Sequence, residues 1–324
     1  MAEMRAPRFG VAVENFTTAD RLPDINRILE YVRRAEELGF ESAWVWDHIL
    51  LGSRSPFPVL DSLTTLAALA VRTERLRLGT GVLVLPLRNP TVLAKVTTSI
   101  DVMSGGRLTL GVAAGWYQKE FDAVGVPHAE RGRVFVENLD VLYRLWSEDV
   151  VNGEQGSYRF RNVVMVPKPV QRPRPEVLIG GYVDRVLRRA GTRADGWLNY
   201  FYTAASFGRD WRRVREHAEQ AGRDPDLLTN VSQLPICVAG SYAEADRRVK
   251  EFIGTNFDIP AWSDCTPESA VRGTPDECAE QLAEHVAAGV QHVVFVPERY
   301  DADQLEVIAR EVVPRTRQLT GVAR

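Results

Sequence analysis

The apolar, aromatic run from Ala43 to Trp46 ends abruptly in two ionisable neighbours, Asp47 and His48. Burying either as a charge is costly unless a partner satisfies it. An imidazole, with an ordinary pKa of about 6.5, is suited to moving protons near neutrality, and an adjacent carboxylate can orient a ring or hold a ligand. The same pair also reads as the N-cap of a short helix and a loop histidine. The surrounding elements decide between these readings.

Other polar or glycine-rich points close apolar runs in the same way: Glu14-Asn15, Gly81-Val82, Ala113-Ala114-Gly115-Trp116, Gly180-Gly181, Trp197 to Asn199 and Glu298-Arg299. The first run, "RFGVAVE" (8–14), predicts a strand. Ile25, Ile28, Leu29, Val32, Ala35 and Leu38 then recur at helical spacing, and Gly39 stands where a helix stops. Further strands are read at "SAWVW", 75–85, "RLTLGVAAG", 176–181, "GWLNY", "VSQLPICVAG" and "HVVFVPE", with helical patterns after all but "VSQLPICVAG". Pro235 argues against a clean interior strand, since it removes a ladder donor.

Eight mostly apolar strands alternating with helices predict a parallel sheet covered on its outside. The expected architecture is a (β/α)8 TIM barrel, with an open doubly wound sheet as the alternative. No linker divides the chain, so 1–324 is expected to be one domain. Barrels typically run about 250 residues. The surplus is assigned to insertions at about 147–175, where "YRFRNVVMVPKPVQ" reads as a hairpin, and at about 254–274.

Barrel chemistry collects where strands end and loops begin, which puts Asp47 and His48 on the catalytic rim. Gly180-Gly181 precedes a helix, whose free N–H groups and dipole suit a phosphate; a simple tight turn is the other reading. Trp44, Trp46 and Trp197 read as packing. Trp116 is harder to dismiss, because it directly follows a glycine at a strand end.

Composition narrows the classes. The chain has 45% hydrophobic and 26% charged residues and a net charge of −3, which calls for neither nucleic acid nor an anionic membrane. Arg-rich stretches such as "RRVRE" read as solvated helix faces. The start of the chain lacks the apolar core of a signal peptide, and "GVLVLPL" is too short to span a membrane, so a cytoplasmic protein is expected. Cys237, Cys265 and Cys278 form no CxxC pair and no disulfide framework. GxSxG, P-loop and HExxH motifs are absent, the five histidines lack metal-ligand spacing, and no GxGxxG follows the first strand.

Residues 73–126, "TERLRLGTGVLVLPLRNPTVLAKVTTSIDVMSGGRLTLGVAAGWYQKEFDAVGV", resemble the bacterial luciferase-like flavin and deazaflavin oxidoreductases. "RGRVFVENLDVLYRLW", "VPKPVQRPRPEVLIGG" and "GTPDECAEQLAEHVAAGV" match in the same order, nearest to the branch of coenzyme F420-dependent oxidoreductases. The resemblance implies the same barrel, with a tricyclic cofactor across the strand C-termini and its phosphate toward Gly180-Gly181. It places Asp47 close to the ring system, with Ala113, Ala114 and Gly115 at the end of the fourth strand, and implies a non-proline cis peptide at Gly81-Val82 beneath the ring. It makes His48 an acid or base and Glu14, in "VENF", a second candidate near the substrate.

A glutamate found after the fourth-strand glycine in some sugar-phosphate dehydrogenases is replaced here by Trp116, which points to an apolar or aromatic small-molecule substrate. The implied function is F420-dependent hydride transfer. One alternative is an FMN-dependent monooxygenase served by a separate reductase; another is a non-catalytic flavin-binding homologue. Pairing into a homodimer is expected from the resemblance.

Overall fold

The computed structural model describes residues 6–18, 21–52, 57–256 and 267–321. Its strands are β1 (Arg8–Ala12), β2 (Ser42–Val45), β3 (Arg77–Val84), β4 (Leu108–Ala113), β5 (Val151–Gln155), β6 (Tyr158–Val163), β7 (Glu176–Gly180), β8 (Gly196–Tyr200), β9 (Thr229–Val238), β10 (Val271–Gly273) and β11 (His292–Pro297). Eight of them close a parallel ring in the order β9-β11-β1-β2-β3-β4-β7-β8, with β8 returning to β9, and β10 adds outside the ring on β9. This is the (β/α)8 barrel, and each of the eight expected apolar runs supplies one ring strand. Near-continuous burial along them is what a sheet covered on both faces requires.

The chain divides into two compact units, residues 1–14, 24–44 and 178–324, and residues 15–23 and 45–177. In the first, Phe9 stacks on Phe295 at 5.8 Å. Gly10 is forced by its neighbour, because a Cβ there would lie 1.9 Å from Ser42 Oγ. That hydroxyl accepts from Trp44 Nε1 (2.8 Å) and pairs with His292 Nε2 (2.8 Å), so three buried polar groups satisfy one another.

Strand β9 runs unbroken through Pro235, contrary to the expectation from its missing donor. β9 is registered with β8 as far as Gln233 and with β10 from Ile236 onward, while Pro235 itself lies opposite Val296 of β11. The absent N–H therefore falls where one neighbour has ended and the next begins.

In the second unit, β3 and β4 form a parallel ladder whose register skips between Thr80 and Leu83. The hairpin also differs from its reading. It is made by β5 and β6, antiparallel and centred on Gly156, whereas the stretch after Val163 carries Pro167, Pro169, Pro173 and Pro175 and cannot supply a ladder. Of the 254–274 segment, residues 257–266, including Cys265, lie outside the described residues. Among the described residues no helix is long and apolar enough to cross a membrane.

His285, on the helix Pro275–Ala287, is buried, and burial pushes its imidazole down to about 4. The unfolded chain takes up this proton first as the pH falls. The stability carried by the neutral ring is thus complete above about pH 6.5 and drains away as the pH drops from there toward about 4. Between pH 7 and pH 5 the loss due to this one group is about 2 kcal/mol. Urea unfolding at both pH values should show His285→Leu losing that much less than wild type over the interval; equal losses would contradict the assignment.

Candidate active site

Strand β2 delivers Trp46 and Asp47 to the second unit, and Asn15 fixes them there. The buried Asn15 amide donates to Trp46 O (2.8 Å) and Leu60 O (3.1 Å), while its oxygen accepts the Trp46 N–H (2.9 Å). One side chain thereby replaces a strand partner where the ladder stops.

Asp47 is fully enclosed, with a side-chain exposure of 0%. Its Oδ1 accepts from Ser62 Oγ (2.7 Å) and Arg88 Nη2 (2.7 Å), and its Oδ2 from Arg88 Nη1 (2.8 Å) and the Val84 N–H (2.9 Å). The guanidinium is bidentate, the geometry that best repays desolvation of two charges. Burial alone would lower the Arg88 pKa; Asp47, then Asp61, outweigh it and raise it. Arg88 also reaches Asp61 (3.2 Å), the N-cap of helix Ser62–Ala70, and directly precedes Asn89, the N-cap of helix Pro90–Met103. The Val84 bond ties the end of β3 to Asp47, two residues beyond the Gly81–Val82 peptide, which is cis.

His48 points elsewhere. Its Nδ1 lies 3.0 Å from Glu120 Oε2, and its ring meets Trp116 edge-on with centroids 6.1 Å apart. The Trp116 ring in turn lies against Tyr117, and its carbonyl faces His128 Nε2 at 3.0 Å. Beyond Ala113 and Ala114, Gly115 has φ +78°, and a Cβ there would strike Val84 Cγ1 at 2.5 Å, so only glycine lets the chain leave β4 so close to the end of β3. Ile49 and Leu50, next in the chain, are exposed, and their backbone N–H groups donate to Glu120 Oε1.

Asp47, His48, Gly81, Val82, Ala113, Ala114 and Gly115 all fall in this second unit; Glu14, Gly180 and Gly181 belong to the first. There, burial first, then Tyr300, Asp301 and Glu14, push the Tyr31 phenol well above the usual tyrosine range, which puts Glu14 among acidic and phenolic neighbours. Gly181, at φ +134°, follows Gly180 at the end of β7, and its carbonyl accepts from Trp197 Nε1 (2.9 Å). Helix Asp184–Arg193 begins three residues later with no side chain capping it. The nearby Asp184 carboxylate is engaged by Arg213 (2.6 Å) and His217 (3.2 Å).

Sequence reasoning missed Arg88, Ser62 and Glu120. Glu120 left a trace, since Phe121 and Val124 mark the apolar face of its short helix and Glu120 flanks that face. Arg88 left none, because an arginine before Asn-Pro reads as an ordinary exposed residue at a helix start.

Residues 8–264 match the family model of luciferase-like monooxygenases, and the chain belongs to that family. It is 26% identical to an F420-dependent glucose-6-phosphate dehydrogenase of Amycolatopsis mediterranei, over 90% of this chain and 95% of that one. It is 28% identical to the FMNH2-dependent dimethylsulfone monooxygenase of Pseudomonas putida, over 91% and 88% of the two chains. Among solved structures, monooxygenase RslO1 from Streptomyces bottropensis superposes with a TM-score of 0.81 at 23% identity, covering 95% of this chain and 99% of that one. The class is therefore the luciferase-like oxidoreductases and monooxygenases, with relatives that use F420 or FMN.

Arg88→Met would leave the enclosed Asp47 carboxylate without its counter-charge. Stability should fall by about 3 kcal/mol or more in urea unfolding. A change within about 0.5 kcal/mol would show that the pair does not hold this end of the barrel.

Proposed function

We propose that this protein is a coenzyme F420-dependent oxidoreductase acting on a small, apolar or aromatic organic substrate. The observation that carries the reading is the His48 imidazole at the end of β2, held by a buried carboxylate and walled by Trp116. Hydride transfer to or from carbon must be accompanied by a proton leaving or joining the substrate, and a positioned imidazole is suited to that step.

Two groups of residues, each within its own unit, support this reading. Gly180 and Gly181 with the uncapped helix start at Asp184 suit the cofactor's phosphate. Gly81, Val82, Ala113, Ala114 and Gly115 offer backbone and small side chains to a flat ring, with Asp47 holding the end of β3 in place. When bound, a deazaflavin would supply the hydride chemistry. The protein's own part is to orient the substrate beside Trp116 and to carry the proton on His48. Glu14 is the second candidate for that proton.

A second reading, an FMN-dependent monooxygenase supplied with reduced flavin by a separate reductase, is supported by the similarity to the sulfone monooxygenase, which covers as much of the chain as the similarity to the dehydrogenase.

His48→Asn keeps polarity and approximate size while removing the titrating group. Turnover, followed as F420 absorbance over a panel of apolar alcohols, aldehydes and ketones, should fall by about 100-fold or more, with cofactor binding and melting temperature close to wild type. Full activity in this variant would remove His48 from the chemistry and pass the role to Glu14.

A further inference from the structure

Glu120 is a carboxylate with only 1% of its side chain exposed, on the seven-residue helix Gln118–Val124. A group so enclosed must be satisfied by hydrogen bonds. Oε1 accepts two backbone N–H groups, from Ile49 (2.6 Å) and Leu50 (3.0 Å), and Oε2 lies 3.0 Å from His48 Nδ1. The helix is anchored independently of these bonds, because Phe121 is buried with Val84 and Leu87, and Val124 and Val126 pack on the same cluster. From the same segment, Tyr117 Oη donates to Gly52 O at 3.2 Å. This short helix and its N-cap residue Tyr117 thus hold His48, Ile49, Leu50 and Gly52 through a single carboxylate and a phenol.

The partners determine which way the proton sits. Oε1 faces two donors, and Oε2, as part of an ionised carboxylate, can only accept. The His48 Nδ1 must then carry the hydrogen, and Nε2 becomes the acceptor atom of the neutral ring. A buried carboxylate holding one ring nitrogen so that the other does the work is a general device for orienting histidine.

We propose that Glu120 is the positioning residue of this site, locking His48 in the Nδ1–H tautomer while fixing the backbone that carries it. The inference rests on the reading of His48 as the proton carrier, but the tautomer itself can be observed without substrate or cofactor. Glutamine at position 120 makes the test sharp. Its oxygen can keep the two backbone N–H groups of Ile49 and Leu50, which places its NH2 against His48 Nδ1 and demands the opposite tautomer. A merely structural role predicts no such inversion.

The experiment is a long-range proton–nitrogen spectrum of the 15N-histidine-labelled protein without cofactor, at about pH 8 where neutral imidazoles dominate. His48→Asn identifies the His48 signals by their loss. Wild type should show protonated Nδ1 and acceptor Nε2 at His48; Glu120→Gln should invert the pattern with a melting temperature near wild type. Should Glu120→Gln fail to fold, the wild-type tautomer alone still decides. Protonated Nε2 in wild type, or an unchanged tautomer in folded Glu120→Gln, would overturn the assignment. By contrast, full turnover in His48→Asn with the Nδ1–H tautomer intact in wild type would overturn the proposed function and leave the lock standing.

Discussion

One enclosed charge organises the site end of the second unit. The Asp47 carboxylate, out of contact with water, is met by four donors, two from the Arg88 guanidinium, one from Ser62 and one from the Val84 backbone. A charge removed from water tolerates little slack in its partners, since each donor lost leaves desolvation uncompensated. The ends of β2 and β3 and the starts of the helices at Ser62 and Pro90 are consequently held around a single point. The glycine-rich exit from β4 then follows, because Gly115 must pass Val84, whose position Asp47 fixes.

The neighbour of that charge does something different, for a geometric reason. Successive side chains at a strand end point to opposite sides. Asp47 turns to Arg88 and Ser62, while His48 turns to Glu120 and Trp116, where its side chain keeps 11% of its surface exposed. Adjacent polar residues thereby take separate sets of partners. The indole of Trp116 meets the His48 ring edge-on, so the wall on that side of the imidazole is aromatic.

The eight ring strands were legible because each is an apolar run between turn signals, the pattern a covered parallel strand must have. The abrupt switch at Asp47-His48 was legible for the same reason. The partners were not, since Arg88 is 41 residues from Asp47, and Glu120 is 72 from His48, and nothing local to either sequence position reports the pairing. Pro235 misled because its effect depends on which strand lies opposite at that one position. The hairpin was placed too late because the β-like residues of 158–163 pair backward with 151–155, not forward into the proline-rich stretch.

The claim most exposed to test is that this barrel is built for a deazaflavin. Titrating the purified protein with F420, with FMN and, under nitrogen, with reduced FMN, while following the quenching of its seven tryptophans, measures it directly. The account predicts saturable F420 binding at least about tenfold tighter than either flavin, a difference of about 1.4 kcal/mol. Tighter binding of reduced FMN than of F420, or no binding of any of the three, would contradict it.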